Sequence, residues 1–200
     1  AHALQALAEA AHALGDGTGA AAWCEQSLAL FRQVGQPREQ AKLLRLQATL
    51  QLERDDLAGA LATLEATQAV HALIDEPVES GSTDALAALC RWRLGQLDAA
   101  QHAAEAVLER FGLDGRGHPP HDSLDLRWRC LQVLEGLGDE RGPALLERLH
   151  EDVQQRATVL ATDIARDNGR DRLIQALPIF RAVVAAHARR SAAGAGDPPR

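Results

Sequence analysis

Several residue types that would point to a β-rich fold are missing or rare in this chain. It contains no methionine and no tyrosine, and aromatic residues make up only 3% of its 200 positions. Aromatic and β-branched residues fit a pleated sheet, whereas alanine and leucine, which dominate here, are strong helix formers. The composition therefore predicts an all-α fold. Because no methionine is present and residue 1 already lies in a helical pattern, we expect the chain to be a piece of a longer protein.

Lysine and cysteine are also scarce, and acidic residues outnumber basic ones. Lys42 is the only lysine, and 28 acidic residues outnumber 21 basic ones, giving a net charge of −7. That balance provides no basic field to attract nucleic acid or anionic lipid. No apolar run approaches the roughly 20 residues needed to cross a bilayer, and no signal peptide is visible. Three cysteines without metal-binding spacing, Cys24, Cys90 and Cys130, are typical of reduced, buried thiols. We therefore expect a cytoplasmic protein without nucleic-acid or membrane partners.

The common motifs for nucleotide binding and catalysis are absent too. A phosphate-binding loop, GxxxxGK[ST], needs a lysine after glycine, but Lys42 follows Ala41; GxGxxG and HExxH do not occur either. The segment His118-Pro-Pro-His121-Asp122 offers two imidazoles and a carboxylate to a metal, yet no further ligand completes the set, which favours a solvated loop. The other histidines lie singly in helices and are interpreted as surface residues. The sequence therefore predicts no catalytic residue, no cofactor and no metal.

An internal repeat with a period of 40 residues runs through the first half of the chain. Small residues recur at this spacing in two parallel series: Ala8, Ala48 and Ala88, and Ala20, Ala60 and Ala100. Members of a pair lie twelve residues apart with a short turn between them, such as Leu14-Gly15-Asp16. Apolar positions follow at helical spacing. Each unit is therefore predicted to be a pair of antiparallel helices that approach closely at the small residues and stack on the next pair.

Prolines and helix-capping residues in the sequence set the predicted boundaries of the repeats. The array is expected to span residues 1–190, followed by a disordered tail at 191–200. Its units cover about 1–36, 37–77, 78–121 and 122–161, with a closing segment at 162–190 that forms a C-terminal capping helix. Pro77 closes the second unit, and the next helix is expected at 83–95. Asp55-Asp56 and Asp122 are interpreted as helix N-caps, and Pro178 as a kink or break.

The small-residue positions and the Leu-Gly-Asp turn resemble the tetratricopeptide repeat (TPR), in a form longer than the usual period of about 34 residues. The stretch from Ala8 through Ala20 to Leu30 carries the resemblance best, while Leu131 and Pro143 depart from it in the fourth unit. HEAT-like repeats have a similar period and are the structural alternative. The resemblance implies a right-handed superhelix of about four helical hairpins, whose first helices line a concave groove that binds a protein or peptide.

Two identical triplets, Arg-Trp-Arg at 91–93 and at 127–129, lie on first helices. In TPR arrays the second, fifth, ninth, twelfth and thirteenth positions of each unit point into the groove. Carried onto this chain, that pattern predicts five partner-binding residues: Lys42, Arg45, Trp92, Arg93 and Trp128. Tryptophan and arginine are frequent interface hot spots. The alternative is that both tryptophans are packing residues, because each lies at helical spacing from leucines of its own helix.

A second resemblance concerns the role of the array. Long Ala-, Leu- and Arg-rich repeat arrays look like the C-terminal parts of large bacterial signalling ATPases and transcriptional regulators, similar to the maltose-regulon activator or to cyclase–ATPase proteins. The stretch Arg172–Arg181 is similar to the segment that closes many such arrays. This resemblance implies a sensor or scaffold module that contacts a partner or neighbouring domains, without enzymatic activity. The alternative is a small-molecule effector-binding domain of such a regulator, with the ligand held between the indoles and guanidiniums.

Overall fold

The computed structural model describes residues 1–74, 77–111, 124–164, 174–175 and 177–194. In this part of the chain all regular secondary structure is α-helical, and the chain divides into two compact units, residues 1–133 and 134–200. The helices are α1 (His2–Ala13), α2 (Gly17–Gln33), α3 (Pro37–Glu53), α4 (Leu57–His71), α5 (Pro77–Arg93), α6 (Leu97–Arg110), α7 (Leu124–Gly136), α8 (Gly142–Ile164) and α9 (Pro178–Gly194). None of them is long and apolar enough to cross a membrane.

One type of turn ends α1, α2, α3, α5 and α7. After α1, the amide of Asp16 donates to the carbonyl of Ala11 (2.9 Å) and that of Gly15 to His12 (2.9 Å), which is the Schellman pattern. Its left-handed residue is usually glycine because glycine has no Cβ: Gly15, Gly35, Gly95 and Gly138 all have φ between 66° and 81°. The turn after α3 instead uses Asp55, with φ 63°. The predicted hairpin turns are therefore present, one of them with a non-glycine residue.

Aspartates cap the helices that follow two of these turns. The Asp16 carboxylate accepts a hydrogen bond from the Gly19 amide at the start of α2 (2.8 Å), and Asp56 accepts one from the Gly59 amide at the start of α4 (3.0 Å). Both carboxylates satisfy an amide that has no partner inside the helix. The predicted capping role is confirmed for Asp56, whereas Asp55 precedes the cap and holds the left-handed position of the turn. Asp122 lies outside the described residues.

The repeated alanines lie where the helices pack most closely. The six alanines of the two 40-residue series are completely buried, with 0% exposure. In the first unit, α1 packs on α2, α2 on α3, α3 on α4, α4 on α5 and α5 on α6. A cluster centred on Phe31 and Leu43 joins α1, α2 and α3, and Trp23 packs against it. Small side chains at the helix contacts and larger ones around them thus build a continuous core, as the period predicts.

Two helix boundaries differ from the predicted ones. The fifth helix begins at Pro77 and not at residue 83, so Pro77 opens this helix. Proline suits the first turn, where the missing N–H leaves no hydrogen bond unmade. Pro178, expected as a kink or break, is the first residue of α9 and follows helical residues at 174–175 and a bend at 177, so the predicted break is confirmed. The helix continues to Gly194, beyond the predicted end of the array at residue 190. Residues 191–194 of the predicted tail are therefore helical, which the alanines at 192 and 193 favour, and residues 195–200 lie outside the described residues.

Candidate functional site

The first helices of the three repeats form a layer in the first unit. In addition to the contacts within and between hairpins, α1 contacts α3 and α3 contacts α5; we call α1, α3 and α5 the first-helix layer. A side-chain contact crosses it at one end, where His12 Nε2 lies 2.9 Å from Glu53 Oε1. In the repeat phase these two residues hold the twelfth and thirteenth positions of their units. The layer thus carries four of the five predicted groove residues, Lys42, Arg45, Trp92 and Arg93, while Trp128 lies on α7.

Lys42 and Arg45 lie three residues apart on α3, so their side chains share one face of the helix. Both are half-buried, and each has an acidic partner. Lys42 Nζ lies 3.3 Å from Glu39 Oε1 on the same helix, while the Arg45 guanidinium pairs with Glu79 on α5. The structure therefore brings these two predicted residues together, with their charges already compensated by neighbouring carboxylates.

Arg93, at the end of α5, reaches back to the turn of the preceding repeat. Its Nη1 donates to the carbonyl of Leu52 (3.3 Å) and its Nη2 to Asp55 Oδ1 (2.7 Å). The Leu52 carbonyl is one of the last in α3 and also accepts a hydrogen bond from the Asp55 amide in the following turn (3.2 Å). The Arg93 side chain is 37% exposed. Arg93 thus links two consecutive repeats through both a backbone and a charged acceptor, a role that the sequence alone did not indicate.

The two predicted tryptophans are half-buried, so part of each indole faces solvent. On α5, the groove positions that precede Trp92 are covered: Ser82, Ala85 and Leu89 are at most 7% exposed. Accessible surface at the predicted positions of α5 is therefore concentrated at its C-terminal end. On α7, Trp128 lies beside Arg127, which is only 4% exposed. The two Arg-Trp-Arg triplets thus have different surroundings, and the binding role of Lys42, Arg45, Trp92, Arg93 and Trp128 stays a prediction.

A cavity of about 150 Å³ in the first unit lies away from these residues. Its lining includes Gln68, Asp84, Arg91 and Arg110, and polar contacts join some of these groups across it. Asp84 accepts a hydrogen bond from Gln68 Nε2 (2.8 Å) and pairs with Arg110 Nη1 (3.2 Å). The cavity is smaller than the roughly 300 Å³ at which small-molecule sites begin.

The cysteines are poor nucleophiles in this fold. All three are buried and free, as predicted. Burial in apolar surroundings disfavours the thiolate, and it raises the pKa of Cys24 to about 11 and that of Cys130 to about 12. The pKa of Cys90 is also raised by burial, although nearby arginines oppose the shift. These thiols are packing groups under neutral conditions.

The second unit contains a cluster that we did not predict from the sequence. His150 and His187, interpreted above as single surface residues, are in ring contact, and Glu147 lies beside them. In the sequence, the cluster is indicated only by the i, i+3 spacing of Glu147 and His150, which puts two side chains on one helical face. The predicted candidate at His118–Asp122 lies outside the described residues.

Comparison with known proteins identifies the fold. No family model matches this chain, and no curated protein matches it either. Among solved structures, a kinesin light chain-like protein of Podosopora anserina with nearly identical TPR-like repeats is similar, with a TM-score of 0.54 and 16% identity over 94% of this chain and 96% of that chain. A single-substitution variant of that protein gives a TM-score of 0.55 with 15% identity, over 96% of this chain and 89% of that one. The predicted fold class is confirmed: the chain is an all-α protein built of TPR-like helical hairpins.

Proposed function

We propose that this chain is a protein–protein interaction module of the cytoplasm, without enzymatic activity, whose first-helix layer binds a peptide or a neighbouring domain. The observation that carries the proposal is the layer itself, in which α1, α3 and α5 contact one another in order. Stacked hairpins present extended surfaces of this kind for binding. Of the predicted contact residues, Lys42, Arg45, Trp92 and Arg93 lie on this layer, and Trp128 lies on α7.

The charges on this layer favour a particular kind of partner. The three predicted cations have acidic partners, Glu39, Glu79 and Asp55. A polyanion would therefore have to displace carboxylates that are already in place, whereas a peptide with charges of both signs suits a surface that carries paired charges of both signs. The half-buried indoles supply apolar area of the type that anchors interfaces. The partner we propose is a peptide segment with an aromatic or aliphatic anchor and mixed charge.

The alternative, a small-molecule effector site between the indoles and guanidiniums, receives less support. The cavity described above, in the first unit, has a volume of about 150 Å³, below the range typical of effector pockets. It is lined by residues of α4, α5 and α6 and by none of the five predicted contact residues. A change in tryptophan fluorescence on adding small anionic or sugar-like compounds, but not peptides, would favour the effector site.

We further propose that the module is the C-terminal sensor or scaffold part of a bacterial signalling ATPase or transcriptional regulator. The support is the resemblance of the closing stretch 172–181 to the ends of such arrays. The reading frame upstream of Ala1 tests it. A phosphate-binding ATPase module joined to a DNA-binding or cyclase domain is the expected result, and an initiator methionine directly upstream of Ala1 would refute it.

The binding proposal is tested with a random peptide display library selected against the 200-residue chain. Selected peptides are expected to lose at least about tenfold in affinity, roughly 1.4 kcal/mol, when Trp92→Ala or Arg45→Ala is introduced. Arg32→Ala is the matched control, because Arg32 is an exposed residue of the second helix α2. Circular dichroism checks that the helices persist in each variant. Peptides that bind both groove variants as tightly as the unmodified chain would contradict the proposed face.

A further inference from the structure

The second unit brings three potential metal ligands together from two helices. Glu147 and His150 lie on one face of α8, and His187 lies on α9, which packs against α8. One ligand atom from each of the three side chains lies within 4.8 Å of the other two. Helix packing, and not proximity in the sequence, therefore creates the cluster.

The three side chains already contact one another. His187 Nε2 lies 2.8 Å from Glu147 Oε2, and the imidazoles of His150 and His187 stack with their centroids 3.9 Å apart and their planes at 5°. One turn further along α8, the amide nitrogen of Gln154 lies 3.0 Å from His150 Nε2. In this orientation the Gln154 amide donates to His150 Nε2. Turning the amide round would let its oxygen, which has no partner among the described residues, accept from Nε2–H and leave Nδ1 to bind a metal.

We propose that Glu147, His150 and His187 bind one divalent transition-metal ion of the Zn²⁺ class. Two imidazoles and one carboxylate match the nitrogen and oxygen donors of three-ligand zinc sites, whose fourth position holds water. Magnesium and calcium prefer oxygen ligands alone and suit this set poorly. The ion would join α8 to α9 and thereby stabilise this pair of helices.

Rotation of at least one imidazole out of the parallel stack is needed to convert the contacts into a coordination geometry, because a bound metal lies in the plane of each imidazole. Metal–ligand bonds of about 2.1 Å at a tetrahedral angle put ligand atoms roughly 3.4 Å apart. The pair formed by Glu147 and His187 must therefore open slightly while the wider separations shorten. Glu147 is exposed and both imidazoles are half-buried, so rotation of these side chains achieves both changes. His187 then needs the tautomer that carries its hydrogen on Nδ1 and a lone pair on Nε2.

The test is a calorimetric titration of the EDTA-treated 200-residue chain with ZnCl₂, followed by Co²⁺ as a spectroscopic probe of ligand geometry. We expect one Zn²⁺ ion per chain, visible absorption bands of a tetrahedral Co²⁺ complex, and a higher melting temperature with Zn²⁺. Glu147→Gln is expected to weaken binding at least about tenfold and to abolish the zinc-dependent rise in melting temperature. Because Glu147 is exposed, this variant keeps its helical circular-dichroism spectrum.

The control separates this cluster from other histidines. The double variant His118→Ala/His121→Ala removes the cluster interpreted above as a loop and is expected to bind Zn²⁺ as tightly as the unmodified chain. His187→Ala removes one of the three ligands but could unfold the helix pair. If its helical circular-dichroism signal is lost, the Zn²⁺ affinities of Glu147→Gln and His150→Gln decide the test. Affinity weaker than about 1 mM, or loss of binding in the double variant but not in Glu147→Gln, would overturn the proposal.

Discussion

Gly81 offers a sharp test of the packing around the third repeat. It lies inside α5 and is buried. An added Cβ would meet Phe111 Cζ at 2.5 Å and Leu126 Cδ1 at 2.9 Å, distances at which a neighbour must move. Helix propensity alone predicts that Gly81→Ala stabilises the chain by about 0.5–1 kcal/mol. Overpacking a core costs about 1–3 kcal/mol, so the two effects oppose each other and the clash is expected to dominate.

Gly81→Ala is expected to lower the free energy of unfolding by about 1–2 kcal/mol. In a chain of this size, that lowers the melting temperature by roughly 2–8 °C. Thermal unfolding followed by circular dichroism measures it. Gly17→Ala is the matched control, because the new Cβ would lie 3.9 Å from Arg54 Nη2 in ordinary contact; its melting temperature should not fall. A melting temperature for Gly81→Ala at or above that of the unmodified chain would refute the close approach of Phe111 and Leu126.

Three further results are expected from the same structure. Asp16→Ala removes the acceptor for the Gly19 amide and should cost about 0.5–2 kcal/mol in urea unfolding; no change would show that this cap contributes nothing. Asp55→Gly relieves the left-handed backbone, worth about 1 kcal/mol, but loses the partner of Arg93. Asp55→Gly should therefore raise the free energy of unfolding more in an Arg93→Ala background than in the unmodified chain. Equal changes in both backgrounds of this double-mutant cycle would show that Asp55 and Arg93 are not coupled. Finally, burial that raises the pKa of Cys24 from 9.0 to about 11 lowers its thiolate fraction about 100-fold at neutral pH. The three cysteines should therefore react with Ellman's reagent only on unfolding, and fast labelling of the folded chain would contradict their burial.

The repeat and its turns could be predicted because they depend on local rules. Alanine at a 40-residue period gave the positions of complete burial, and the Leu14-Gly15-Asp16 segment gave a turn, whose glycine has a positive φ. Such positions admit few residue types, so the pattern is visible in one sequence. The capping aspartate Asp56 follows the same logic.

The features that could not be predicted from the sequence depend on contacts between distant residues or on ambiguous local signals. Pro77 is compatible with both the end of one helix and the start of the next. The close approach of Phe111 to Gly81 is a contact that the local sequence does not reveal. Because residues 77–82 were not assigned to a helix, the Glu79 partner of Arg45 was not foreseen. The contact of His150 with His187 joins residues far apart in sequence. Local spacing carries no information about such a pair.

Hydrogen–deuterium exchange of the chain with and without a selected peptide tests whether the first-helix layer is the binding face. The peptide is expected to slow exchange in α1, α3 and α5, while exchange in α2, α4 and α6 stays unchanged. Protection confined to the second helices of the hairpins, or to α8 and α9, would contradict it.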